Sequence, residues 1–207
     1  MKKTPSLFKR DYEGTRLVLN EVVPGSEWVL EGEGTATLKI DGTSCMLRYG
    51  ALYKRYDRKP TKKAAQRRKR DPNGLLVIED FKPAPEGFEP CEPAPNFFTG
   101  HWPGWVPVSE RPEDQYHREA FQKLQATDED GTYELVGPAI QANPHKLESH
   151  QLWRHGAAKL PDAPRDFEGL RVYFEEQRIE GIVWHHPDGR LVKIKRRDFG
   201  FPWPEKL

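Results

Sequence analysis

The chain has 207 residues, 36% hydrophobic and 11% aromatic, with 33 Lys/Arg against 32 Asp/Glu, enough to bury a sizeable core as one large domain or two small ones. No apolar run approaches the roughly 20 residues that cross a bilayer, and the opening MKKTPSLFKRDYEG has no apolar block behind its lysines, which argues against a membrane partner and a secretory leader. Cys45 and Cys91 are two, widely separated and without metal-ligand spacing, so reduced thiols in a cytoplasmic protein are the expectation.

Residues 15–30 mix β-branched side chains with Trp28, and Thr35–Leu38 lead into Lys39. Both stretches read as strands. Gly42 permits a sharp turn, and residues 44–56 read as a hairpin pivoting near Gly50. A basic run follows, with ten Lys/Arg from Lys54 to Arg70 against Asp57 alone. That segment carries +9 where the whole chain carries +1, leaving −8 for the remainder. Phosphate is the natural partner of such a patch. Helical propensity around Lys62–Arg70 stops at Asp71-Pro72-Asn73-Gly74.

Leu75–Glu79 reads as a short strand, and five prolines between Lys82 and Pro95 predict an extended surface loop. Gly100–Val108 predicts a turn and a strand. Ser109 caps a predicted helix through Gln125, with Pro112 in its first turn and Tyr116, Ala120, Phe121 and Leu124 on its buried face. Thr132–Val136 reads as a strand. Asp166 caps a second helix with Phe167, Leu170 and Phe174 on one side, and Ile179–His185 and Gly189–Lys195 are strands joined by a turn at His186–Gly189. Many short strands with two or three helices predict an α+β fold, in one domain spanning residues 1–207.

Four short motifs carry the chemistry: Lys39-Ile40-Asp41-Gly42, Tyr133-Glu134-Leu135-Val136-Gly137, Glu180-Gly181-Ile182-Val183 and Val192-Lys193-Ile194-Lys195. Each alone is common, but the set in this order suits covalent nucleotidyl transfer. A lysine amine attacks only when unprotonated, and nearby cations with partial desolvation lower its pKa. Lys193 and Lys195, two apart on a strand, face the same way and supply such cations to Lys39 and to an α-phosphate. Attack there would expel pyrophosphate and leave a lysyl-nucleotide, with fixed cations and a metal stabilising the phosphoryl oxygens. Glu134 and Glu180, each at the edge of an apolar strand run, are suited to accept from ribose hydroxyls or to hold Mg²⁺.

With these residues the chain resembles the ATP-dependent RNA ligases of the covalent nucleotidyltransferase superfamily, in particular the compact 5′–3′ RNA ligases of the vertebrate RNA ligase 1 type. The resemblance runs from about Thr35 to Gly200 and is carried by KIDGTS (39–44), LYKRYDRKPTK (52–62), GHWPGWVPV (100–108), YELVGP (133–138), EGIVWH (180–185) and VKIKR (192–196). It implies antiparallel sheets flanking an ATP cleft, ATP as co-substrate and Mg²⁺ or Mn²⁺ as the metal. It also implies RNA with 5′-phosphate and 3′-hydroxyl ends as the partner of a monomeric repair enzyme. By the same resemblance Lys39 is the nucleotidyl acceptor, supported by Asp41. Arg55 contacts the nucleotide and the 5′-phosphate, Glu134 the ribose, Glu180 the metal, and Lys193 and Lys195 the α-phosphate. Trp153 matches the aromatic residue that stacks on adenine, with Phe174 as its rival.

DNA ligases and capping enzymes with this core carry a further oligonucleotide-binding domain after the fifth motif, whereas twelve residues follow Lys195 here. How RNA is gripped stays open at this point, and the basic run, with Lys54, Arg58, Lys59, Lys62 and Lys63, is the candidate for its phosphates. Two other readings stay open: a non-catalytic RNA-binding module with a relic cleft, and a nucleotidyltransferase acting on another acceptor. His145, His150 and His155 recur every five residues with no cysteine to complete a metal site, and read as structural. Trp102 and Trp105 read as core, and Cys45 as a small buried residue.

Overall fold

A computed structural model describes residues 3–125 and 129–204. In chain order these form β1 (Phe8–Arg10), β2 (Val18–Val22), β3 (Thr35–Lys39), β4 (Thr43–Arg48), β5 (Ala51–Arg58), α1 (Lys62–Arg70), β6 (Glu89–Pro90) and β7 (Trp102–Pro107). There follow α2 (Gln115–Phe121), β8 (Gly131–Val136), β9 (Gln151–Arg154), α3 (Phe167–Glu176), β10 (Gly181–His185) and β11 (Leu191–Lys195). Helices and antiparallel ladders together make the protein α+β. The chain divides into two compact units, one built on Gly42–Leu152 and the other on Thr4–Asp41 with the chain from Trp153 onward. No helix among the described residues is long and apolar enough to cross a membrane.

In the Gly42–Leu152 unit the strands lie in the order β6-β7-β5-β4-β8-β9. Strand alternation sends Cys45, Leu47, Leu52, Tyr133 and Leu135 to one face, where they form a core with Ala120 of α2. Tyr116, Phe121 and Leu124 pack against it, as the helical spacing predicted. A second cluster joins Ala64 of α1 to Leu76, Phe81 and Trp102. Thr61 caps α1 by accepting from the Ala64 N–H, and the cations of its last turn suit the negative end of the helix dipole.

Two local expectations fail in this unit, each through a carboxylate. Leu75–Glu79 is not a strand, because the Asp80 carboxylate accepts from the Val77 N–H at 2.9 Å and closes a 3-10 turn over Ile78–Asp80. Ser109 does not cap a helix. Its hydroxyl donates to Asp114 at 2.8 Å, Pro112 opens a 3-10 turn, and α2 ends at Phe121 rather than Gln125. The proline-rich loop also contributes the short edge strand β6.

In the other unit the order is β11-β10-β3. Ala36, Ile182, Trp184, Val192 and Ile194 point into a core shared with Leu170 and Phe174 of α3, whose cap Asp166 accepts from the Gly169 N–H at 2.9 Å. Both sheet edges are covered. Leu7 N–H donates to Lys193 O at 2.8 Å beyond β11, and Leu38 N–H donates to Ala158 O at 2.8 Å beyond β3. Of residues 15–30 only Val18–Val22 is a strand, since Pro24 cannot extend the ladder and Gly25 is left-handed at φ 86°. Trp28 sits instead in a buried 3-10 turn.

Burial pushes His117 of α2 below the ordinary value of 6.5, opposed by Asp114 and assisted by Lys54. Burial, with His155, does the same to His185 of β10. The unfolded chain therefore binds protons on these side chains that the native protein refuses, so stability rises with pH across that window. Their contribution is complete above about pH 6.5 and is expected to fall as the pH drops below it. Urea unfolding between pH 7.5 and 5 checks this, and a flatter slope in His117→Gln assigns its share.

Candidate active site

Lys39, Gly181 and Lys195 form one rung across β3, β10 and β11. Alternation turns the neighbouring Ile182 and Ile194 into the core and leaves both lysines on the opposite face. Glu180 immediately precedes β10 and is buried, 4% exposed. Its Oε2 lies 2.5 Å from Lys39 Nζ and its Oε1 3.1 Å from Lys195 Nζ, so one carboxylate holds two ammonium groups. Lys39 Nζ also donates to Ile40 O at 3.3 Å.

The middle of the rung has to be bare, since a Cβ on Gly181 would stand 2.3 Å from Ile194 O. Burial, and next the charge of Lys39, push the Lys195 amine below its ordinary value, against the pull of Glu180. Such a face is poised for phosphate: cations are concentrated in a partly dry place, and an incoming anion can replace the carboxylate as their partner. Lys193 lies two residues back on the same face, opposite Val183. Asp41, just past β3, accepts from Trp203 Nε1 at 2.8 Å.

In the Gly42–Leu152 unit, alternation places Ser44, Arg55, Trp105 and Glu134 on the sheet face away from the Cys45–Leu52–Tyr133 core. Glu134 pairs with Ser44 and Arg55 with Trp105, and the Arg55 guanidinium lies 5.4 Å from the Trp105 ring. The Ser44 hydroxyl is buried there without a hydrogen bond. A Cβ on Gly42 would meet Leu135 O at 2.3 Å and the Glu134 side chain at 2.7 Å. Gly42 is thus required for close approach of β4 to β8, not for a left-handed turn.

The basic run divides by partner. Lys54 points to the core side of its strand and pairs with the buried Asp114. Arg58 donates to Lys82 O and lies 4.5 Å over the Trp102 ring. Lys59, Lys62 and Lys63 are exposed to solvent. Trp153 is half-buried on β9, whereas Phe174 is fully buried, 5.8 Å from Phe199 in the core, and closed to a stacking base.

Of the three histidines spaced five apart, His150 behaves as a structural side chain. His150 Nδ1 is 2.7 Å from Glu119 Oε2, its Nε2 accepts from the Ala139 N–H at 3.3 Å, and its ring stacks on Tyr116. Hydrogen bonds from His150 first and then Lys123 hold the Glu119 carboxyl down to about 2. Trp102, Trp105 and Cys45 are buried, and burial raises the Cys45 thiol. Among the described residues no group of three or more His, Cys, Asp or Glu is placed to hold a metal ion. Sequence reasoning did not single out Trp203, which lies outside every motif quoted above.

A family model for RNA ligase 1 matches residues 118–207. RNA ligase 1 of Pongo abelii is 32% identical over an alignment covering 99% of this chain and 79% of that protein. The Mus musculus RNA ligase 1 is 33% identical over 99% and 78%, and that of Danio rerio 31% over 95% and 77%.

Proposed function

The chain belongs to the RNA ligase 1 family, and we propose on that premise that it is an ATP-dependent RNA ligase with a nucleotidyltransferase fold, working through a lysyl-AMP intermediate. The Lys39 amine attacks the α-phosphorus of ATP, the bond to the pyrophosphate oxygen breaks, and pyrophosphate leaves. The 5′-phosphate of an RNA then takes AMP from Lys39. A 3′-hydroxyl attacks that activated phosphate, AMP departs, and a phosphodiester remains. The observation that carries this reading is the buried Glu180 carboxylate holding Lys39 and Lys195 together, which provides a nucleophile and a phosphate-binding cation on one face.

The other roles follow the chemistry of each side chain. Lys193 joins Lys195 at the α-phosphate, Glu134 accepts from the ribose hydroxyls, Arg55 meets the nucleotide and the 5′-phosphate, and Trp153 stacks on adenine. Lys59, Lys62 and Lys63, exposed at and before the start of α1, take RNA phosphates, with Lys54 and Arg58 shaping the same segment. Mg²⁺ typically binds through one or two carboxylates and completes its shell from phosphate and water. Glu180, the carboxylate of the lysine face, fits an ion that arrives with the triphosphate. Bound there, the ion would draw charge off the phosphoryl oxygens.

Intact mass tests the reading. Protein first stripped with pyrophosphate and then given ATP and Mg²⁺ is expected to gain one AMP, to lose it again to pyrophosphate, and to seal RNA with 5′-phosphate and 3′-hydroxyl ends. An adduct without sealing favours another acceptor. No adduct with ATP or GTP sinks the covalent mechanism.

A further inference from the structure

The chain beyond β11 does more than end the fold. Arg196 N–H donates to Glu180 O at 2.9 Å, and Lys195 N–H donates to Asp198 Oδ2 at 3.0 Å. The segment thus begins by holding the backbone of Lys195 and Glu180, both members of the lysine face. The Arg196 side chain is buried, 5% exposed, which is tolerable only when its donors are satisfied. It donates to Phe174 O, to Gln177 O at 2.9 Å and to Pro202 O at 3.2 Å, and lies 5.3 Å over the Phe201 ring. That arrangement folds residues 196–202 back on the unit and delivers Trp203 to Asp41, where the indole N–H meets Oδ2 at 2.8 Å. Asp41 is two residues from Lys39, in the stretch where β3 ends.

We propose that Trp203 is a positioning residue for the nucleophile: its hydrogen bond fixes Asp41, and through the Lys39-Ile40-Asp41 backbone it fixes where the Lys39 amine stands relative to Glu180. The inference rests on the lysyl-AMP reading and adds to it a residue 164 positions away in the chain. The physical basis is geometric. A charged carboxylate held by one neutral donor is free to rotate when that donor is lost. Ångström-scale displacement of a reacting group costs on the order of a hundredfold in rate.

Trp203→Phe keeps most of the ring and deletes the N–H. Single-turnover formation of lysyl-AMP is expected to slow about tenfold, the equivalent of one hydrogen bond to a charged group, with half-saturating ATP and the melting temperature unchanged. Trp203→His, which keeps a ring N–H, is expected to recover most of that loss. In an Asp41→Ala background Trp203→Phe should have no further effect, because the carboxylate through which it is proposed to act is gone. A wild-type rate for Trp203→Phe, or an equal slowing with and without Asp41, overturns the proposal. If Trp203→Phe melts early, the comparison between Trp203→His and Trp203→Leu decides in its place. Failure of the wild type to form any adduct after pyrophosphate stripping overturns the parent mechanism, and this inference with it.

Discussion

Lys39→Arg is expected to fold normally and to lose the AMP adduct and sealing together, by on the order of 10⁴-fold or more, as when the nucleophile of a covalent enzyme is removed. Arginine keeps the positive charge opposite Glu180, so the ion pair that now spans 2.5 Å survives in kind. What disappears is the capacity to present a free amine, because a guanidinium stays protonated at any working pH. Lys39→Ala makes the complementary case, removing charge and nucleophile at once and leaving Glu180 to Lys195 alone. Intact mass reads the adduct, and denaturing gels read sealing. RNA supplied with its 5′ end already adenylylated skips the step that needs Lys39, so the arginine variant should still close that substrate. An adduct persisting on Lys39→Arg would move the nucleophile to another lysine, with Lys193 and Lys195 the first to examine on the same face.

The parts of the site that were legible in the sequence are those set by local periodicity. Lys193 and Lys195 share a face because a strand repeats every two residues, and the apolar run of β10 places Glu180 at its mouth. The cap Asp166 and the helix it opens follow from side-chain chemistry within one turn. Partners far apart in the chain were not legible. Lys54 belongs to a run that reads as a phosphate patch, yet Asp114, 60 residues on, draws it to the core side. Trp28 lies in a β-rich stretch, yet Pro24 and Gly25 redirect it into a buried turn. Ser109 precedes a helical pattern, yet its hydroxyl finds Asp114 before it finds a helix end. The sharing of Glu180 between two lysines is of the same kind. Strand order brings Lys39 and Lys195 to either side of β10, and no spacing in the chain announces it.

Glu180→Gln is the other variant with a large expected effect, and it separates two roles of one carboxylate. Lys39 and Lys195 would lose the charge that lies between them while keeping a neutral acceptor. Their side chains are only 19% and 16% exposed, so repulsion between the two ammoniums is poorly screened. Breaking a fully buried pair costs several kcal/mol, and the residual exposure here reduces the expected destabilisation to about 1–3 kcal/mol. The Lys195 amine, already below its ordinary value, would then shed its proton still more readily in the native state than in the unfolded chain. The deficit relative to wild type should accordingly shrink as the pH rises towards the ordinary lysine value of 10.5. Adduct formation should fall by about a hundredfold or more, as expected when a charge aimed at the reacting phosphate is removed. Magnesium titration discriminates between the roles. If Glu180 receives the ion that comes with ATP, the variant needs more Mg²⁺ to reach its residual rate. If it serves only to hold the two lysines, the Mg²⁺ dependence stays where it is while the rate and the stability fall. Wild-type stability together with a wild-type rate would remove Glu180 from the site altogether.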